Sequence, residues 1–413
     1  MQKFKAAAGI SDLKSTRRIV FLGGMRVLQP RAWVCLVLAA GVIQSHAMAA
    51  DAVPADKSEL VYIGTYTGAK SRGIYLSRFD AAKGQLGPPE LAAETRNPTF
   101  LALHPGRPLL YAAGEFDNFG GQRAGSVSAF QIEPTGKLTL LNQQASGGAG
   151  PCHLAVDRAG KCVLVANYGS GSLAAIPLQP DGRLGEPVHA VQNQGSSINP
   201  RRQTGPHGHF IIADPDNRFA LACDLGLDKV FVYRLDSDRA LLTPNEPPAM
   251  LITPGSGPRH LAFHPNGRTV YLLNELASTV DVFAYNPRAG TLRKLQTLST
   301  LPEDFKGENI CAEVQVHPSG KFVYASNRGH NSLAVFAVDR KSGQLSFVER
   351  QPSQGKTPRH FTLAPGGNWL LAENQDSNNV VVFRVEPKTG RLVPNGQAIE
   401  VGSPVCAVFA GGN

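Results

Sequence analysis

An internal repeat of about 50 residues limits the folds that this 413-residue chain can adopt. Six copies begin near Asn97, Gly150, Gly205, Gly257, Asn309 and Thr357. In each copy, short apolar runs are separated by turns that contain Gly, Asp or Asn, which indicates antiparallel strands. Repeats of this length are typical of β-propellers, in which four-stranded sheets stack around an axis because one sheet cannot bury both of its faces.

The two ends of the chain supply a seventh copy. Residues 403–410 match the first strand of the repeat, whereas residues 60–68, 73–80 and 85–94 match its second, third and fourth strands. The sequence therefore predicts an all-β, seven-bladed β-propeller over residues 58–411, in which the N- and C-terminal strands share one blade. Such closure leaves no open sheet edge, and this favours the propeller over a pair of β-sandwiches.

The first 50 residues read as an export signal. Residues 1–50 hold seven Lys and Arg against one Asp, which accounts for +6 of the formal charge of +9. An apolar stretch at 33–43 precedes small residues in the A-x-A manner, so we predict cleavage after Ala49 or Ala50. The stretch is too short to span a membrane, and Met25 is the predicted translation start. The sequence thus predicts a periplasmic or secreted protein.

The remainder of the chain shows no sign of a nucleic-acid partner, a disulfide framework or a metal site. Its net charge of +3 gives no argument for nucleic acid. An odd number of irregularly spaced cysteines is a poor disulfide framework, and no CxxC or HExxH motif is present, so we expect buried thiols and no cofactor. These cysteines are Cys152, Cys162, Cys223, Cys311 and Cys406.

The start of the first strand is the position at which the copies differ most. Positions shared by all copies are explained by architecture, whereas an Arg, His or Glu found in only some of them needs another reason. First strands line the central channel of a propeller, and their starts meet at one mouth. The repeat therefore predicts convergence of His153, His207, His209, Arg259, His260, Glu313, Arg359 and His360.

Residues at the ends of second strands and in one loop add to this mouth. Glu275 and Arg328 each follow an Asn that ends a second strand, next to the first strand's start. Arg201 and Arg202 precede the His207 segment, but exposed loop arginines are usually solvated, so we give them less weight.

Six segments, in order, resemble the bacterial seven-bladed β-propeller lactonase family, which includes 6-phosphogluconolactonases and a carboxy-muconate cyclase. They are YIGTYTG at 62–68, GPCHLAVD at 150–157, TGPHGH at 204–209, GSGPRHLAFHPNG at 255–267, AEVQVHPSGKFVYASNRG at 312–329 and TPRHF at 357–361. The resemblance implies lactone hydrolysis at the channel mouth without a metal ion. The positions that match the family's motifs are His153, His207, His209, Arg259, His260, Glu313, Arg328, Arg359 and His360.

Lactone hydrolysis assigns roles to these residues. No G-x-S-x-G elbow is present, so we predict direct attack by water, with Glu313 or His153 as general base. His207 and His209 would donate to the carbonyl or leaving oxygen. Arg259 and Arg359 would hold a substrate anion or the oxyanion. The predicted substrate-binding residues are Arg259, His260, Arg328, Arg359, His360 and Glu275.

The predicted substrate is a sugar lactone, and export favours unphosphorylated gluconolactone because the phosphorylated compound belongs to the cytosol. The alternatives are a non-catalytic propeller that binds an anionic metabolite or a partner protein, and a lactone cyclase of the carboxy-muconate type. A calcium-dependent sugar lactonase is disfavoured because cations outnumber carboxylates at the predicted mouth. We expect a monomer or weak dimer with no membrane partner after signal cleavage.

Overall fold

The computed structural model describes residues 58–187 and 189–411, and the regular secondary structure of these residues consists of β-strands. The predicted signal at 1–50, with Met25 and the cleavage site, lies outside the described residues. Within the described part of the chain, no helix is long and apolar enough to cross a membrane.

Antiparallel pairing groups the strands into seven sheets, here called blades 1 to 7. Blade 1 contains β1 (Glu59–Thr65), β2 (Gly73–Asp80), β3 (Gln85–Leu86) and β4 (Glu90–Glu94). Blade 2 contains β5 (Pro98–Leu103), β6 (Leu109–Gly114), β7 (Ser126–Ile132) and β8 (Leu138–Ala145). Blade 3 contains β9 (Pro151–Val156), β10 (Cys162–Asn167), β11 (Ser172–Pro177) and β12 (His189–Gln192). Blade 4 contains β13 (Gly208–Ala213), β14 (Phe219–Asp224), β15 (Lys229–Asp236) and β16 (Leu241–Leu251). Blade 5 contains β17 (Pro258–Phe263), β18 (Thr269–Asn274), β19 (Thr279–Asn286) and β20 (Thr291–Ser299). Blade 6 contains β21 (Ile310–Val316), β22 (Phe322–Arg328), β23 (Ser332–Val338) and β24 (Leu345–Pro352). Blade 7 contains β25 (Pro358–Leu363), β26 (Trp369–Asn374), β27 (Asn379–Val385) and β28 (Leu392–Glu400). The last strand, β29 (Pro404–Ala410), completes blade 1.

The predicted seven-bladed propeller with a shared blade is confirmed. Strand β29 pairs antiparallel with β1, for example Ala410 with Leu60, so the two ends of the chain close one sheet. The inner strands β29, β5, β9, β13, β17, β21 and β25 each contact the inner strands of both neighbouring blades, in one closed ring. The fourth strand of blade 1 is split into β3 and β4, and Gly87, Pro88 and Pro89 lie between them.

Apolar packing between blades forms the core. Seven clusters of buried side chains each join one pair of adjacent sheets, as expected for sheets that bury both faces against their neighbours. Polar links add to them: His264 Nδ1 accepts the Asn266 amide within its own turn, while its Nε2 lies 2.9 Å from the Gly320 carbonyl of the next blade. His104 and His317 make the same pair of contacts. The recurrent His-Pro turns therefore have a structural role.

A β-bulge near the start of each inner strand positions the channel side chains. The pairing register shifts at the same place in all seven blades, and the residues within the shifts are Val405, Thr99, Cys152, His209, Arg259, Ala312 with Glu313, and Arg359. A bulge interrupts the alternation of side chains along a strand. Accordingly Arg259 and His260, consecutive in sequence, line the same narrow space in the channel.

Candidate active site

Two layers of side chains cross the channel. The bulged residues other than Glu313 form the upper layer, and five of the residues that follow the bulges form a lower layer, here called the plug: Phe100, His153, Phe210, His260 and His360. The rings of the plug are in mutual contact, with centroids 4.2 Å apart for Phe100 and His153, 4.0 Å for His153 and Phe210, and 4.9 Å for Phe210 and His260. Phe100 also contacts His360 at 5.8 Å. The plug therefore divides the channel.

Above the plug lies a cavity of about 200 Å³, here called the mouth pocket. Its lining residues are Glu115, Cys152, Tyr168, Arg202, His209, Glu275, Ile310, Arg328 and Arg359. It shares Arg202, Ile310, Arg328 and Arg359 with an outer cavity of about 660 Å³, here called the vestibule. The mouth pocket gathers three guanidinium groups, two carboxylates and an imidazole, which is a composition suited to polar, ionic chemistry.

Glu275 is the centre of an ion cluster in the mouth pocket. Its Oε1 accepts from Arg202 Nη2 at 2.6 Å, and its Oε2 accepts from Arg259 Nε at 2.9 Å and Arg328 Nη2 at 2.8 Å. Burial alone would raise the pKa of Glu275, but Arg328, Arg259, His209 and Arg202 together hold it well below its ordinary value of 4.5. Glu275 is therefore a permanent anion that orders guanidinium groups, and it is a weak base.

His209 is the imidazole that lines the mouth pocket. Its Nε2 lies 4.0 Å from Glu275 Oε2, and its Nδ1 lies 3.7 Å from Cys152 Sγ. The Cys152 thiol can donate to the backbone carbonyl of His209, 3.4 Å away, and its sulfur can then accept from Nδ1–H; in that tautomer Nε2 keeps its lone pair. Burial, followed by Arg259, holds the pKa of His209 well below 6.5, so the ring is neutral at neutral pH.

Arg359 holds a different network on the other side of the pocket. Its Nη2 donates to Tyr66 Oη at 3.0 Å, and the Tyr66 hydroxyl donates to Glu115, with 2.9 Å to Oε1. Thr99 Oγ1 also donates to Glu115 Oε2 at 2.6 Å. Among the described residues, no carboxylate forms an ion pair with Arg359. Its guanidinium is therefore the one in the mouth pocket whose charge is least neutralised.

His207 lies at the edge of the mouth, outside the lining of the pocket. Its ring stacks on Tyr168 with centroids 4.3 Å apart and planes 15° apart, and its Nδ1 donates to the Tyr168 carbonyl at 2.9 Å. Tyr168 in turn contacts the edge of His209 at 5.5 Å. His207 therefore supports Tyr168, which touches the ring of His209.

The predicted convergence on one funnel requires correction for Glu313 and His153. Both line a separate cavity of about 510 Å³ below the plug, and no described residue lines both that cavity and the mouth pocket. His153 Nδ1 accepts the Ile211 amide of the neighbouring blade at 3.4 Å, and its ring is packed between Phe100 and Phe210. The physical reason is depth: each lies one layer further along the channel than the arginine of a PRH segment.

Glu313 belongs to a buried chain of acids and imidazoles that includes two histidines of the plug. His260 Nδ1 donates to Glu313 Oε2 at 2.8 Å, and His360 Nε2 lies 3.7 Å from the same oxygen. His360 Nδ1 donates to Glu373 Oε2 at 2.8 Å. Burial raises the pKa of Glu313 to about 6. Burial would lower the pKa of His360, but Glu313 and Glu373 raise it, so this imidazole is stabilised as a cation.

Four residues of the mouth and one acid bound to the plug were missed or given little weight in the sequence analysis: Tyr66, Glu115, Tyr168, Arg202 and Glu373. Tyr66 lies in the YIGTYTG segment, and Arg202 lies in the loop that we had treated as solvated surface. Arg202 instead reaches Glu275 and donates to Tyr168 Oη at 3.2 Å, so its demotion was wrong.

The cysteines and the acidic residues complete the inventory of possible ligands. The five cysteines of the described residues are free and buried. In the part of the chain that the structure describes, no group of three or more His, Cys, Asp and Glu is arranged to hold a metal ion.

Comparison with known proteins agrees with this architecture. The family model described as "Lactonase, 7-bladed beta-propeller" matches residues 60–409. A 6-phosphogluconolactonase of Bacillus subtilis (strain 168) is 41% identical over 301 residues, 73% of this chain and 83% of the relative. The structure of a periplasmic gluconolactonase of Pseudomonas aeruginosa, PpgL, superposes with a TM-score of 0.81 at 36% identity, covering 85% of this chain and 99% of that chain. A structure of a putative 6-phosphogluconolactonase of Bacteroides fragilis gives a TM-score of 0.80 at 35% identity, covering 87% and 100%.

Proposed function

Because the chain belongs to the lactonase family of seven-bladed β-propellers, we propose that it hydrolyses a sugar lactone of the gluconolactone type in the mouth pocket. As a member of this family it is a carboxylic-ester hydrolase. The observation that carries the proposal is the placement of a neutral imidazole, a triply bound carboxylate and a guanidinium without a carboxylate partner around one pocket of about 200 Å³.

The chain's own residues supply a complete reaction. Water attacks the lactone carbonyl and gives its proton to His209 Nε2, while Glu275, 4.0 Å away, stabilises the imidazolium that forms. The tetrahedral oxyanion is stabilised by Arg328 and Arg359. The ring C–O bond then breaks, and the leaving alkoxide takes the proton back from His209. The product is the open hydroxy acid.

This mechanism moves the general base from Glu313 or His153, our expectation from sequence, to His209. A base must lie within hydrogen-bond reach of the water that it activates. Glu313 and the plug residue His153 line the cavity below the plug, whereas His209 lines the pocket that contains the guanidinium groups. A sugar lactone carries several hydroxyl groups, and it fits the polar mouth pocket better than the largely apolar cavity under the plug.

Charge at the mouth supports a second candidate substrate, a phosphorylated sugar lactone. The lining of the mouth pocket holds the guanidinium groups of Arg202, Arg328 and Arg359 against the carboxylates of Glu115 and Glu275. This excess of one positive charge favours an anion, which can be a substrate phosphate or the oxyanion itself. The predicted export and the periplasmic location of the Pseudomonas relative favour the unphosphorylated compound.

Rates on gluconolactone and 6-phosphogluconolactone, measured with the chain from residue 51 onwards, test the proposal. We expect His209→Asn to lower kcat by about 10²- to 10⁴-fold with the strand content unchanged by circular dichroism. Glu313→Gln is the comparison variant. If it abolishes turnover while His209→Asn stays active, the base lies below the plug. If neither lactone is hydrolysed by the unmodified chain, the chain is a binding propeller or acts on another lactone.

Location is a separate proposal with its own test. We expect the full chain, expressed in a Gram-negative host, to appear in the periplasmic fraction with its N-terminus near Asp51. A full-length protein in the cytosol would contradict it.

A further inference from the structure

The loop between β12 and β13 is fixed to the blade beneath it by a buried amide. Gln203 has no exposed surface, its Nε2 donates to the Leu225 carbonyl at 2.8 Å, and its Oε1 accepts the Asn199 amide at 3.1 Å. Ser197 Oγ also donates to Asp228 Oδ2 at 2.6 Å. Because these bonds surround Arg202 in sequence, the position of its backbone is set before any ligand binds.

Arg202 differs from the other two guanidinium groups that bind Glu275. The side chains of Arg259 and Arg328 are only 3% and 8% exposed, whereas that of Arg202 is 34% exposed. Arg202 lines both the mouth pocket and the vestibule. Among the described residues, its hydrogen bonds to Glu275 and Tyr168 use Nη2 alone. The remaining guanidinium donors, on Nε and Nη1, are thus available to a ligand that passes from the vestibule into the pocket.

We infer that Arg202 is a specificity-determining residue, which selects lactones that carry hydroxyl groups over bare lactone rings. The inference rests on the proposed function. Of the described residues of this loop, Arg202 alone lines both cavities, so the fixed loop holds its planar fork between the vestibule and the mouth pocket. In this position it would contact the hydroxyl groups of a substrate whose carbonyl reaches His209. A bare ring offers no hydroxyl partner to these donors and gains nothing from Arg202.

Selectivity between gluconolactone and δ-valerolactone is the direct test. We expect Arg202→Met to lower kcat/KM for gluconolactone by about tenfold or more, chiefly through KM, since it removes hydrogen bonds from a charged donor. For δ-valerolactone the change should stay within about threefold. Arg202→Lys should give an intermediate loss because it keeps the charge without the fork. Arg201→Met is the matched control, since Arg201 lies on the same loop and lines the vestibule but not the mouth pocket.

Three outcomes separate this inference from the proposed function. Equal losses on both substrates, or no loss on either, overturn the role of Arg202 and leave lactonase activity standing. If the unmodified chain hydrolyses no lactone, the proposed function fails, and calorimetric binding of sodium gluconate decides the role of Arg202. A tenfold weaker dissociation constant in Arg202→Met but not in Arg201→Met supports selection of polyhydroxylated ligands, and equal affinities refute it. Urea unfolding of each variant shows whether a loss of function comes from a loss of fold.

Discussion

Replacing Glu275 by Gln should destabilise the fold more than any other single change at the mouth. The substitution keeps the shape of the side chain but removes the negative charge that three guanidinium groups contact at 2.6, 2.8 and 2.9 Å. Arg259 and Arg328 are buried, so solvent compensates for little of the lost charge interaction. Breaking a buried pair in this way costs about 3–5 kcal/mol. Arg202 is a third exposed and adds little to this figure because solvent screens it.

Equilibrium unfolding in urea, followed by circular dichroism at pH 7, measures this loss. Glu308→Gln is the matched control, since Glu308 is an exposed carboxylate that lines the vestibule, and its substitution should change the free energy of unfolding by less than about 0.5 kcal/mol. Adding Arg202→Met to Glu275→Gln should cost less than the sum of the two single changes, because it removes a cation that has lost its partner.

The pH dependence provides a check on the cause. The folded pKa of Glu275 is far below the ordinary value of 4.5, so its contribution is fully present above pH 4.5 and is lost as the pH falls below it. The difference between the two proteins should therefore shrink in acid. A loss under about 1 kcal/mol at pH 7, or a difference that does not shrink in acid, would refute the view that Glu275 neutralises buried guanidinium groups.

Three further predictions follow from the plug, the turns and the proposed chemistry. Burial, as the first cause, holds the pKa of His153 well below 6.5, so below pH 6.5 this side chain is protonated in the unfolded chain but not in the folded one. The free energy of unfolding should therefore fall between pH 6 and 5, and His153→Phe should make that fall smaller by about 1.4 kcal/mol per pH unit. An unchanged slope would contradict this. Gly160→Ala should cost about 1–3 kcal/mol in urea unfolding, since φ is +67° and a Cβ would lie 2.4 Å from His104 Nε2, whereas Gly106→Ala, which meets nothing within 4 Å, should be near neutral. Dialysis against EDTA should leave the lactonase rate unchanged, and a loss that a divalent cation restores would show that a metal takes part.

The fold could be predicted because its signals are local and repeated. Alternating apolar runs, Gly turns and a constant period need no knowledge of distant contacts, and the incomplete copy at each end is complementary to the other. The pairing of β29 with β1 follows from this directly. The break between β3 and β4 could not be predicted from Pro88 and Pro89, because β16 is continuous through Pro247 and Pro248.

Depth in the channel could not be predicted from the alignment. In a regular strand Arg259 and His260 would point to opposite faces, and only the bulge turns both toward the axis at different heights. A bulge leaves no composition signature of its own. The sequence therefore brought Glu313 and Arg259 to the same channel correctly, yet it could not show that Arg259 reaches the mouth cluster while Glu313 lies under it, linked through His260.

The same comparison between copies, applied one strand further out, would have found Glu373. His360 pairs with Glu373, whereas the equivalent first-strand residues of other blades pair with Ala113, Ala166, Cys223 and Leu273. One acid in a position that is otherwise small or apolar is as anomalous as an arginine at the start of a first strand, and a buried acid requires a partner. His360 is that partner, and it is the one plug imidazole whose pKa is raised, while those of His153 and His260 are held well below 6.5 by burial. An exceptional residue on a second strand therefore identifies which of several equivalent histidines carries charge, a distinction that the first strands alone could not provide.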